Sequence, residues 1–265
     1  MRVTLPRAIA VSAVFVLSAA CGSMSKDADA ERSLVPVTPA ALTLETFAPR
    51  VLPALLAKGS FSVEAFVVPK GGRDQATFTA NVRLTGSATD VSIPAGDPPI
   101  IRIGDAVYVR DHKLTGSAKR PWARLNPGSK NPAEEEALFV AETLIGISAG
   151  HQVIVGTAYA TEFKRGEQTT IDGDETQEYI VTIDSHRAAA AGALGELLNS
   201  RITKTAPKGL SVSIAVDAED VPRRIEFVLD DGADLATRLR LTLRDFGKSL
   251  PIAAPPAAMV GNVGR

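Results

Sequence analysis

From residue 60 onward the chain alternates apolar and polar residues with a period of two, segment after segment, which restricts it to a sheet with one dry and one wet face. Phe61, Val63, Ala65 and Val67 alternate with Ser62 and Glu64, and Phe78, Ala80, Val82 and Leu84 with Thr79, Asn81 and Arg83. Lys70-Gly71-Gly72-Arg73 reads as the hairpin turn between them. Shorter strands are expected at Val91 to Ile93, Ile100 to Ile103 and Val107 to Arg110, with Gly104-Asp105 between the last two, completing an antiparallel meander. The habit returns in the second half at Val153 to Phe163 and Thr176 to Ile183. It continues through Leu210, Val212, Ile214 and Val216, then Ile225, Phe227 and Leu229, and closes with Leu239, Leu241 and Leu243. The outward rows carry Arg and Glu where a lipid-facing strand would have aliphatics, which argues against a transmembrane barrel.

Three helices punctuate the strands. Thr43 is a suitable N-cap for Leu44, Phe47, Val51, Leu52 and Leu55 at helical spacing, with a stop at Gly59. Pro49 and Pro53 oppose this helix, since an interior proline costs about 3 kcal/mol. A loop carrying Pro121, Trp122, Pro127 and Gly128 leads to Pro132, which with Glu134, Glu135 and Glu136 opens a helix through about Ile147. Acidic residues in the first turn complement the helix dipole. A third helix is expected from about Arg187 to Asn199.

The N-terminus specifies an address. Arg2 and Arg7 precede an apolar run from Ala8 to Leu17, and Ser18-Ala19-Ala20 lead directly into Cys21. The run is shorter than the roughly 20 residues needed to cross about 30 Å of hydrocarbon, so residues 1–20 read as a cleaved secretory signal. Cys21 would then be the lipidated first residue of the mature chain, holding it to the extracytoplasmic face of the cell membrane. The alternative is a secreted protein whose lone cysteine falls beside the cleavage site. Residues 21–42, rich in Ser, Asp, Ala and Pro, form a flexible tether. Residues 43–256 form the folded domain, and 257–265 a disordered tail. Loss of the signal removes two arginines and lowers the formal charge from −1 to about −3. Nothing in that balance suggests a nucleic-acid partner.

Catalytic signatures are thin: Gly146-Ile147-Ser148-Ala149-Gly150 has the Gly-x-Ser-x-Gly spacing but ends an expected helix instead of following a strand, so it is not a nucleophile elbow, and there is no His-Glu-x-x-His, no phosphate-cradling glycine loop and no Cys/His metal spacing. His112, His151 and His186 fall in separate elements, so each is a ligand or base only if the fold brings it a partner, and otherwise a loop or terminus residue. Asp172-Gly173-Asp174-Glu175 has the oxygens of a calcium loop but lacks the remaining EF-hand spacing, so a plain turn is the better account. Trp122 either guards a pocket mouth, sits at a membrane interface or packs a loop. Arg238, Arg240 and Arg244 either meet lipid head groups or form a wet face paired with Glu226 and Asp230.

Several segments resemble the LppX, LprA, LprF and LprG group of actinobacterial lipoproteins, related in fold to the lipoprotein carriers LolA and LolB. They are Gly104 to Arg110 followed by Pro121-Trp122-Ala123, Ile171 to Asp184, Val216 to Ile225 and Leu243 to Pro256. The order of these segments, spread over most of residues 44–256, carries the resemblance. It implies an α+β fold: an antiparallel β half-barrel whose concave face is covered by helices, with a hydrophobic cavity between that accepts acyl chains.

A non-enzymatic carrier is therefore expected, without cofactor or metal. It would bind an acylated lipid or glycolipid in the cavity and carry it across the envelope, handing it on to an envelope transporter. Burying each methylene contributes about 0.8 kcal/mol, so a chain of about fifteen needs roughly 12 kcal/mol of apolar shelter. Alternation alone nominates Phe61, Val63, Phe78, Val82, Val107, Leu138, Ile145, Val212, Ile214, Phe227 and Leu241 as cavity lining, each of which is equally ordinary core. The competing reading is a surface-tethered interaction or sensor protein whose half-barrel is filled by its own side chains.

Overall fold

Local capping chemistry sets the first helix. The computed structural model describes residues 41–69, 75–85, 88–195, 198–199, 207–229 and 237–264; the signal, Cys21, nearly all of the tether and the Lys70–Arg73 turn lie outside these. Helix α1 (Leu44–Lys58) starts at Thr43, whose backbone N–H donates to the Thr46 hydroxyl at 2.8 Å, and stops at Gly59, where φ is 71°. Pro49 and Pro53 lie inside it. The helix continues because Phe47, Val51 and Leu55 are buried on one face, a gain that outweighs the bonds the prolines remove. Phe47 meets Phe163 and Tyr179 edge-on, each at 5.5 Å between ring centroids.

Twelve strands form a single open sheet: β1 (Ser60–Pro69), β2 (Ala76–Thr85), β3 (Ala88–Ile93), β4 (Ile100–Ile103), β5 (Ala106–Arg110), β6 (Trp122–Arg124), β7 (Ala160–Ile171), β8 (Asp174–Asp184), β9 (Gly209–Asp217), β10 (Pro222–Leu229), β11 (Thr237–Arg244) and β12 (Val260–Gly261). Their order is β12-β6-β5-β4-β3-β2-β1-β11-β10-β9-β8-β7, so β1 joins two meanders through β11. All neighbours are antiparallel except β12 and β6. Register places Phe61 opposite Val82, Val63 opposite Leu243, and Ile225 opposite Leu241 and Ile214, one continuous dry face. On the wet face Arg240 donates to Glu226 at 2.9 Å, and Arg244 pairs with Glu64 and Asp172 at 2.7 and 2.6 Å. Asp172 and Gly173 are the two loop residues of the β7–β8 hairpin, with φ of 53° and 94°. The Asp-Gly pair is thus a tight turn of the kind that requires two positive φ angles.

The helices gather on the dry face. They are α2 (His112–Thr115), α3 (Pro132–Ser148), α4 (Val153–Gly156) between 3-10 turns at 150–152 and 157–159, and α5 (Ser185–Ala190). Among the described residues no single helix is long and apolar enough to cross a membrane. Asn131 caps α3, its side chain accepting from the N–H groups of Ala133 and Glu134 at 3.0 and 3.4 Å. Asn131→Ala should cost about 1 kcal/mol, read as a lowered urea midpoint at unchanged slope.

Four segments differ from the sequence expectation. Trp122, expected in a surface loop, opens strand β6 and pairs with Arg110 and Val260. Val153–Tyr159 is helical, and the strand starts only at Ala160. A short apolar run such as Val153-Ile154-Val155 fits either period, and burial of Val153 and Ile154 against the sheet decides for the helix. The helix expected to Asn199 ends after Ala190, with Gly192 and Gly195 at φ 69° and 80°. The segment expected to be a disordered tail is paired: β12 runs beside β6, the Gly264 N–H donates to the Leu114 carbonyl at 2.8 Å, and Asn131 Nδ2 donates to the Gly264 carbonyl at 2.8 Å. Val263 packs against the neighbouring apolar cluster, which supplies the order that a polar tail would lack.

Candidate functional site: a cleft between α3 and the β3–β5 meander

The dry face carries two separate apolar clusters. One packs α1, α4 and α5 against β1 and β8–β11. The other sets Ala141 and Ile145 of α3 against Val91, Ile93, Ile100, Val107 and Val109. In the first, the main chain comes down onto the sheet: a Cβ added to Gly150 would sit 2.4 Å from Leu241 Cδ1 and 3.9 Å from Phe227. No side chain fits there, and the glycine closes the gap. In the second, the helix offers the small Ala141 at mid-length, while Phe139 stands 59% exposed. Between this helix, the 149–155 turns, Gly192, Ala193, Gly195 and Asn199 on one side and the meander on the other lies a cleft of about 1450 Å³. That exceeds the roughly 300–1,000 Å³ of ordinary small-molecule sites.

The floor of the cleft includes Val107 of β5 and Ile145 of α3, both buried. Phe139 and Val155 line it while remaining substantially exposed, which puts them at its rim. Polar groups are interleaved: Arg102, Asp105, Glu142, Thr143, Gln152 and Asn199 also face it. A smaller hollow of about 510 Å³ flanks α3 on its other side, where Ile100, Val109, Ala137, Val140 and the C-terminal Val263 meet. Helix α3 is thus a ridge between two hollows.

A clamp on the wet face holds the hairpin that edges the cleft. Asp90 of β3 accepts from the Gly104 N–H at 2.9 Å and from Arg83 at 2.8 Å, and Arg83 also donates to the Ile252 carbonyl at 3.2 Å. Burial pushes the Asp90 carboxyl up, but the hydrogen bonds from Gly104 and Arg83 outweigh it and leave its pKa below the ordinary value. Behind the cleft, where α3 bends by 53° into the 150–159 turns, His151 is buried edge-on against Phe61 at 5.2 Å. Its Nδ1 has no hydrogen-bond partner, and burial lowers its pKa to about 4.

Of the lining residues nominated by alternation, the structure brings Val107 and Ile145 to the cleft. Phe61, Val63, Val82, Val212, Ile214, Phe227 and Leu241 belong to the packed cluster beneath α1 and α4, Phe78 is half-buried between the two clusters, and Leu138 is half-buried against the second. Alternation marks the dry face but not where helices stand away from it. Phe139, Val155, Gln152 and Asn199 were not nominated, although Leu138 and Ile145 of the same helical layer were, because only the fold shows which side of that layer borders the cleft. Arg102 did leave a signal: in Ile100-Ile101-Arg102-Ile103 a charge takes a dry-face position.

No protein-family model matches the chain, and no curated protein compared with it matches either. Solved structures do match. The crystal structure of lipoprotein LppX from Mycobacterium tuberculosis is 16% identical over 79% of this chain and 98% of that one, with a TM-score of 0.45. LprF from Mycobacterium bovis is 12% identical over 80% and 96%, with a TM-score of 0.47. A LolA superfamily protein from Nitrosomonas europaea is 13% identical over 80% and 96%, with a TM-score of 0.31. The chain is similar to these proteins across nearly their whole length. The open antiparallel sheet with helices on one face is the α+β layout expected from the sequence.

Proposed function

We propose that the chain is a non-enzymatic lipoprotein, anchored through an acylated Cys21 to the outer face of the cell membrane, that shelters an acyl chain in the cleft between α3 and the β3–β5 meander. The observation that carries this reading is a large hollow with Val107 and Ile145 on its floor and exposed Phe139 and Val155 at its rim. Exposed aliphatic and aromatic groups beside a hollow cost free energy in water that an acyl chain removes, at about 25 cal/mol per Å² covered. The apolar part of the cleft, Val107, Ile145, Phe139 and Val155, takes the place of bilayer contacts, so transfer between the two is closer to balanced than transfer to water and cargo is not trapped at either end. Carriage across the envelope and hand-over to a transporter follow from that balance as part of the proposal.

Cys21→Ser should move the protein from the membrane fraction to the soluble one, checked by fractionation and immunoblotting. An unchanged distribution would remove the anchor from the proposal. The same variant, purified from its host and examined by native mass spectrometry, should carry co-purified lipid; repeated absence would reject the carrier.

A second reading has its own observation. The packing beneath α1 and α4 leaves the β1 and β8–β11 part of the sheet filled by the chain's own side chains, as in a surface-tethered protein that recognises another envelope protein. Crosslinking in intact cells separates the two, since one stoichiometric protein adduct with no bound lipid favours the second.

A further inference from the structure

The cleft has a charge where a lipid-sheltering surface has no need of one. Arg102 shares its face of β4 with Ile100, which is fully buried, and its register partners are Val91 and Val107, both buried. The guanidinium therefore rises from an otherwise apolar floor, and among the described lining residues it is the one basic side chain. Its Nε donates to the Thr89 carbonyl at 3.3 Å, which fixes its position. A guanidinium carries five N–H donors in a rigid fork, so bonds within the protein and a bond to a ligand oxygen coexist on it. The buried Asp90 carboxylate is electrostatically coupled to Arg102, and Asp105 and Glu142 line the cleft at exposed positions, where solvent and salt screen them. Arg102 is half-buried, and a half-buried charge is screened less.

We propose that Arg102 is the head-group anchor of the cleft: it binds an anionic oxygen, carboxylate or phosphate, of the amphipathic lipid whose chain lies against Val107, Ile145, Phe139 and Val155. This rests on the reading of the cleft as an acyl shelter and narrows its cargo to anionic amphiphiles. An arginine beside a carboxylate or phosphate forms charge-assisted, commonly bidentate, hydrogen bonds, stronger than those a hydroxyl accepts. Apolar walls strengthen them further.

The test uses the Cys21→Ser chain and three single-chain probes of equal length, decanoate, decyl phosphate and decanol, each titrated calorimetrically. The expected result is tighter binding of at least one anionic probe than of decanol, by about ten-fold or more, shrinking as salt is raised. Whichever anion binds tighter identifies a carboxylate or a phosphate as the head group. Arg102→Gln should abolish the preference by weakening the anionic probes at least about ten-fold and decanol far less, and Arg102→Lys should restore part of it. Circular dichroism on both variants verifies that the sheet is intact, and a misfolded Gln variant shifts the decision to the Lys variant and to the salt dependence of the wild-type chain. Equal affinities of the wild-type chain for all three probes would overturn the anchor and leave the acyl shelter standing. Binding of none would remove the shelter, and the anchor with it.

Discussion

Lowering the pH from 7 to 4.5 should remove about 2.5 kcal/mol of the domain's stability, and replacing His151 by leucine should remove most of that dependence. His151 has a folded-state pKa of about 4 against 6.5 for an unperturbed imidazole, the result of burial alone. As the pH falls through 6.5 the unfolded chain takes up a proton that the folded chain refuses. Stability rises with pH wherever the unfolded state holds more protons, so it falls as the solution is acidified through this window. The slope persists until about pH 4, where the folded imidazole also protonates. At about 1.4 kcal/mol per pKa unit, a separation of this size amounts to roughly 3 kcal/mol. The carboxylates with lowered pKa values, such as Asp90 and Asp245, lose their stabilisation only as the pH drops below the usual carboxylate range, so most of the window belongs to the histidine. Urea midpoints at several pH values for wild type and His151→Leu provide the check. Parallel curves would show that His151 is not the group responsible. At pH 7 the variant should be no less stable, because it replaces a buried nitrogen without a partner by a methyl-bearing side chain of similar bulk.

A second large effect separates the two halves of the dry face. Phe61→Ala removes a fully buried ring from the packed cluster and should cost about 3–5 kcal/mol. Its lipid occupancy, measured at a temperature where the variant is folded, should stay at the wild-type level. The double substitution Thr143→Trp with Val155→Trp places two bulky side chains into and across the cleft, at positions that are half-buried and exposed and so open to larger groups. It should change stability by less than about 1 kcal/mol and abolish co-purified lipid. Native mass spectrometry with denaturant titration reads both quantities on the same preparations. Lipid lost with Phe61→Ala but retained in the tryptophan variant would place the cargo beneath α1 instead of beneath α3.

The sheet was legible because its physics is local. Alternation at Phe61 to Val67, Leu210 to Val216 and Leu239 to Leu243 forces one face inward whatever the partner strand is. The N-cap Thr43 and the first-turn Pro132 marked two helix starts for the same reason. The run at Val153 was not legible, because three consecutive apolar residues satisfy helix and strand alike, and only packing against the sheet chose between them. Nor was the C-terminal segment, where Val260 and Gly261 pair with β6 and Gly264 bonds to Leu114 and Asn131, order that does not come from local propensity.

The same division runs through the candidate site. Composition and spacing determine, by themselves, that the chain builds a one-sided antiparallel sheet with a helical layer, and they point to export through Cys21. They do so because side-chain period and end-capping are properties of neighbouring residues. Where the helical layer touches the sheet and where it stands off was decided only in three dimensions. Gly150 lets the backbone settle onto Leu241 and Phe227, while Ala141 and Ile145 settle α3 onto the second cluster and the outward Phe139 and Val155 leave a cleft open beside it. A cleft is a difference between two surfaces that are far apart in sequence, so no stretch of either one encodes it alone.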